Sequence, residues 1–199
     1  MRPVYILSAI ITAILSGVVG AEAVGEPSCE AVLVNNAQQP ISSAAQAVRM
    51  IQEATAEGSA PGLHVALLPH AATQPSAEQI LGGVNAWLAV NAESISGASP
   101  VPGVTLPIGW LCTIVGEDTY VHAPALSPSS DVVTLRVPAH QIDTVIPEAL
   151  GQPRCKITVK RVEEPGEDEP HAFMEFRIPA TAWKEAPLGL PVIKLINAQ

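Results

Sequence analysis

The residues with chemistry to offer are five histidines, three cysteines and one dense run of carboxylates. The run holds Glu163, Glu164, Glu167, Asp168 and Glu169 around Pro165 and Gly166. Clustered oxygen ligands suit a hard cation such as calcium, but the spacing is not that of an EF-hand loop. The run therefore reads as a solvated hairpin tip whose charges discourage edge pairing. The histidines are His64, His70, His122, His140 and His171. None belongs to a His-Glu-x-x-His motif, and no Cys-x-x-Cys accompanies them, so no metal site is expected. His64 and His70 bracket one strand-like run, and six extended residues separate their ends by about 20 Å.

Nucleophilic chemistry fares no better. A Cys/His pair needs an accessible thiol of low pKa beside an imidazole. Cys112 has apolar neighbours (Trp110, Leu111, Ile114, Val115), which raise a thiol pKa. The imidazole nearest in sequence is His122, placed to lie across a hairpin from it. Gly-x-Ser-x-Gly, Gly-x-Gly-x-x-Gly and the P-loop are all missing, so no cofactor is expected. Paired acids of a glycosidase leave no spacing signature, but sugar sites favour aromatic platforms. Trp87 and Trp110 sit in apolar patterns and read as core; Trp183, beside Lys184 and Glu185, reads as an exposed contact residue.

The start of the chain is an address. Arg2 precedes an apolar run over residues 4–19, followed by Val19-Gly20-Ala21 and Ala21-Glu22-Ala23. A positive start, an apolar stretch and a small-residue cleavage pattern read as a secretory signal peptide over residues 1–23. No later run is long and apolar enough to span a bilayer. Residues 24–199 then form a single secreted or periplasmic domain. Removing Arg2 and Glu22 leaves 9 basic and 18 acidic groups, so the net charge stays at 9 − 18 = −9. Acidity with few aromatics excludes a nucleic-acid binder.

Three cysteines in an oxidising compartment allow one disulfide and one leftover thiol. Cys112–Cys155 is the preferred pair, because both lie in or beside predicted strands, and it would contribute about 3–4 kcal/mol by loop closure. Cys29 is then free or links two copies as a homodimer. The alternative keeps Cys112 as a buried thiol and pairs Cys29 with Cys155.

Nineteen prolines keep the elements short. A strand is expected over residues 30–34 and a helix over 43–57, opened by Ser43 and Gln46 at capping-box spacing and stopped by Gly58. A buried strand follows over 63–68. Ser76 and Gln79 open a second helix with Ile80, Val84, Trp87, Leu88 and Ala92 on one face; Gly82-Gly83 either weakens it or permits close packing. Residues 94–109 read as a loop, with three prolines and three glycines. Strands are expected over 110–115, 119–122 and 131–137, a hairpin over 155–162 and 172–178, and an edge strand over 188–196. Residues 140–150 have helical periodicity broken by Pro147.

The sum is α+β: two N-terminal helices packed on one mainly antiparallel sheet. An α/β mixed sheet is the alternative. For function, the motif searches favour a secreted, non-catalytic binding, surface or structural protein, with an extracellular protein or surface ligand as partner. The alternative is a secreted hydrolase with a dispersed site, its first candidates His64, His122, Cys112 and Asp118.

Overall fold

The computed structural model describes residues 29–69, 75–142, 145–165 and 171–197. The predicted signal peptide, His70 and the centre of the acidic tip lie outside them.

Chain order is β1 (Cys29–Asn35), α1 (Ala44–Glu57), β2 (Leu63–Pro69), α2 (Ala77–Asn91), β3 (Ser99–Pro100), β4 (Leu111–Val115) and β5 (Asp118–His122). It continues with β6 (Val132–Pro138), β7 (Val145–Ala149), β8 (Thr158–Glu164), β9 (His171–Pro179), α3 (Thr181–Glu185) and β10 (Val192–Asn197). The class is α+β. The single sheet gives way to three: β1-β2, β3-β4-β5-β10-β7 and β6-β9-β8. Every strand pair among the described residues is antiparallel, which overturns the mixed-sheet alternative.

The helices start where their capping residues dictate. Ser43 accepts from Gln46 N at 3.2 Å, and α1 stops at Gly58 in the left-handed region (φ 70°), which glycine adopts without a Cβ penalty. Ser76 and Gln79 form a complete capping box at α2. Gly83 lets α2 approach α1, because a Cβ there would collide with the Ala44 methyl. Its neighbour Gly82 faces open space.

The five-stranded sheet separates two apolar clusters, and its pleat decides which residue joins which. Tyr120 and Val192 join Leu33, Val48, Ile51, Ile80, Val84 and Trp87 from β1 and the helices. Val121, Ile193 and Leu195, one residue out of phase, join Leu135, Phe176 and Ile178 from the three-stranded sheet.

Two expectations fail for positional reasons. β10 is not an edge strand; it lies between β5 and β7, with Val192, Ile193 and Leu195 all buried. Apolar residues on both faces mark a strand covered on both sides. Residues 145–149 are not a broken helical turn but the edge strand β7. Pro147 is accommodated there because an edge strand can dispense with one ladder N–H.

Candidate binding surface

The candidate catalytic groups are distributed by the same pleat. Cys112 is registered with Val121, and Leu111 with His122. Cys112 therefore faces the second cluster and His122 the helices, so the Cys/His pair cannot form across the hairpin. Burial pushes the Cys112 thiol up to about 12, the opposite of an activated nucleophile. His64 stands on β2 in a different sheet, exposed, with Nε2 2.8 Å from Asn36 Oδ1. Asp118 is four residues from His122 along β5, and its carboxylate binds Lys194 Nζ at 2.9 Å. The fold does not bring these four residues together.

His122 instead ends a buried hydrogen-bond chain. Trp87 Nε1–H donates to Leu190 O (3.0 Å), and Asn91 Nδ2–H donates to Trp87 O (3.0 Å). Ser94 Oγ–H donates to Asn91 O at 2.7 Å, and Thr113 Oγ1–H donates to Ser94 O at 2.9 Å. Thr113 has one proton and has spent it. The 2.9 Å contact between His122 Nε2 and Thr113 Oγ1 therefore requires the proton on Nε2, an assignment made from the network. Trp87, Asn91, Ser94, Thr113 and His122 are all buried. Burial first, and the Arg49 charge second, lower the His122 pKa to about 3. The imidazole is neutral and structural at neutral pH.

Beside this chain, Thr113, Tyr120, Lys194 and Glu148 form one cross-strand row. Lys194 binds Asp118, lies 3.8 Å from Glu93 and caps the Tyr120 ring at 5.6 Å. The bond to Asp118 is the main reason its pKa is raised, and burial is the main reason the Tyr120 hydroxyl is raised as well. The cation is held charged and the phenol neutral, which serves cohesion and offers no general base.

Neither the Cys112–Cys155 nor the Cys29–Cys155 pair is present among the described residues: Cys112 and Cys155 are free thiols. Cys155 is not in a strand. It sits in a turn, bonded through its N–H to Gln152 O, three residues before β8 begins. The Cys29 side chain lies outside the described residues. Among those residues no group of three or more His, Cys, Asp or Glu could hold a metal ion. No described helix is long and apolar enough to cross a membrane.

Trp183 is a second correction. It is 4% exposed, within α3, and is a support rather than a contact residue. Its Nε1–H donates to Pro124 O at 3.0 Å, and its ring meets Trp110 edge-on, with centroids 6.2 Å apart. What these tryptophans support is the turn before β4. Trp110 N–H donates to Pro107 O at 3.0 Å, and Gly109 takes φ +85°, the pattern of a type II turn with glycine at its third position. Gly109 also lies against Pro124, where a Cβ would come within 3.3 Å of the proline ring. On the other side Arg49 of α1, itself paired with Glu53 at 3.0 Å, donates through Nη2 to Gly109 O. Further back, Val104 and Leu106 pack into the second cluster, and Thr105 N–H donates to Gln141 Oε1 at 2.9 Å.

At the apex of this braced turn is Ile108, 102% exposed. Leu126, on the adjacent loop beyond Pro124, is also exposed. The composition of residues 94–109 marks a loop but does not single out Ile108. The available signal is a β-branched apolar residue between Pro107 and Gly109, residues that favour a turn.

A scan against protein-family models, a search of curated proteins and a search of solved structures each return no match for this chain.

Proposed function

We propose that this chain is an exported, non-catalytic binding protein, folded as one domain after residue 23, that docks a protein partner through the 107–110 turn. The observation that carries the reading is Ile108. Solvent exposure of a single apolar side chain is ordinary. Here, though, the exposed residue is held by a glycine turn, an arginine from α1, a proline contact and a tryptophan pair. A pre-ordered anchor loses little conformational freedom on binding, and a buried apolar anchor is the usual centre of a protein interface. The partner is one with an apolar pocket, of a size to take Ile108 with Leu126 at its margin.

The test has two arms. A photo-reactive residue at position 108 identifies the partner in the extracytoplasmic fraction, and the purified pair is then titrated. Ile108→Ser and Leu126→Ser should each weaken that binding, Ile108→Ser by about 1–3 kcal/mol, a tenfold to hundredfold rise in Kd. Unchanged binding in Ile108→Ser refutes the site. A panel of ester, peptide and glycoside substrates tests the class. A robust activity that co-purifies with the homogeneous chain and persists in Ile108→Ser would make the protein a hydrolase.

A further inference from the structure

We propose that β8 is a self-pairing edge, joining two copies of this chain antiparallel about a two-fold axis through Val162. β8 is an outer strand of the sheet β6-β9-β8, and among the described residues its only ladder partner is β9. Such an edge presents free N–H and C=O groups to any strand that can match it. The sequence along it reads Lys160-Arg161-Val162-Glu163-Glu164. This pentad is antisymmetric in charge about Val162.

The consequence is geometric. With a two-fold axis at Val162, antiparallel pairing sets Lys160 of one copy opposite Glu164 of the other. Arg161 then falls opposite Glu163, and each pair occurs twice. Because side chains alternate, the two kinds of pair lie on opposite faces of the sheet. A one-residue slip in either direction halves the matches, leaving only Arg161 opposite Glu164 or only Lys160 opposite Glu163, so the charges favour one register as well as one orientation. A closed, self-complementary contact of this kind ends at a dimer and does not grow into a fibre. A lysine-bearing edge normally repels other strands; here the repulsion applies to every strand except the reversed copy.

The pentad is available for this. Arg161 and Glu163 side chains are 64% and 67% exposed, and their mutual contact is a long 3.7 Å. Lys160 reaches Glu175 at 3.2 Å while remaining exposed, and Glu164, half-exposed, meets Arg136 at 2.6 Å. The Arg161–Glu163 pair is exposed on both sides and contributes little where it is, so exchanging it across the two-fold axis meets little resistance. Lys160 and Glu164 keep their contacts with the buried Glu175 and with Arg136 and share their exposed sides with the other copy. The inference uses a surface separate from the 107–110 turn and stands without it.

Sedimentation velocity of the mature chain in a reducing buffer at physiological salt, from about 1 μM to about 1 mM, tests it. The expected result is a concentration-dependent dimer. Arg161→Glu and Glu163→Arg should each weaken it by about tenfold or more, since either places like charges opposite one another twice. The double variant Arg161→Glu/Glu163→Arg should return to within about threefold of the natural chain, because the antisymmetry is restored. If either charge-reversed variant fails to fold, Arg161→Gln and Glu163→Gln, whose side chains are exposed, should each weaken the dimer by a smaller factor, and undiminished dimerisation in both overturns the proposal. A natural chain that is monomeric throughout, single variants that dimerise undiminished, or a double variant without recovery overturns the proposal.

Discussion

The helix-facing side of the central sheet and the 107–110 turn treat burial in opposite ways. On the first, polar groups are taken out of water and linked in a chain from Trp87 through Asn91, Ser94 and Thr113 to His122. On the second, an apolar side chain is left in water while a guanidinium, an indole N–H and a backbone turn hold its platform. Of the residues with catalytic reputations, His122 lies in the first region, where burial has switched it off. The second has none, yet there contacts from α1, Pro124 and the edge of the second cluster hold a turn whose apex residue is left in water. The contrast teaches that site candidates are better judged by what surrounds a side chain than by its chemical type.

The contrast breaks most severely if His122 is ionisable in the native state. A neutral imidazole with a native pKa of about 3, against an ordinary 6.5, stabilises the fold fully above pH 6.5. Below that pH the unfolded chain takes up a proton that the folded chain refuses, so stability falls as pH falls towards 3. The shift corresponds to roughly 5 kcal/mol at most. Urea unfolding at pH 7, 5 and 4 should show a steep acid loss, and His122→Gln should flatten it while lowering stability at pH 7. A natural chain with the shallow acid slope of the variant would mean that the imidazole is accessible and the polar chain is not sealed.

How much of this was legible in the sequence varies with the range of the interaction. Local signals held: Ser43, Ser76 and Gly58 bound the helices, and the hairpin expected over 155–162 and 172–178 forms over 158–164 and 171–179, its first strand starting three residues later. What failed depends on partners far along the chain. Pro147 looked like a helix breaker because nothing local announces that Leu195 lies beside it. β10 looked like an edge because it comes last, although its apolar residues on both faces mark a central strand. Trp183 looked exposed because Lys184 and Glu185 flank it; its covering residues, Trp110 and Pro124, are 73 and 59 positions away. The separation of Cys112 from His122 was half visible. A hairpin was expected, but its register decides the faces, and one residue of slip reverses them.

A smaller effect, and a sharper one, comes from Trp183. Trp183→Ala removes both the edge-on partner of Trp110 and the donor to Pro124 O, and should cost about 3–5 kcal/mol. Trp183→Phe keeps a ring but loses the donor to Pro124 O, and should cost about 1–2 kcal/mol. If the turn is braced as described, amide exchange at Ile108–Trp110 in Trp183→Phe should accelerate more than exchange in β8 and β9, which pack on the same cluster through other residues. Uniform acceleration would make Trp183 ordinary core.

The smallest effect on stability is the most informative. Ile108 is fully exposed at the second position of its turn, a position that accepts most residues. Ile108→Ser should therefore change unfolding free energy by no more than about 0.5 kcal/mol in either direction. Arg49→Met, which removes the guanidinium holding Gly109 O, should cost about 1–2 kcal/mol and leave Ile108 in place but less fixed. The two variants separate an anchor from its mount. A pre-organised anchor predicts that Arg49→Met weakens partner binding through lost rigidity, whereas Ile108→Ser weakens it through lost contact and leaves the fold intact. Partner binding that tracks stability across both variants would assign the turn to folding alone. Binding lost in Ile108→Ser at unchanged stability leaves no structural explanation for that side chain except the surface it meets.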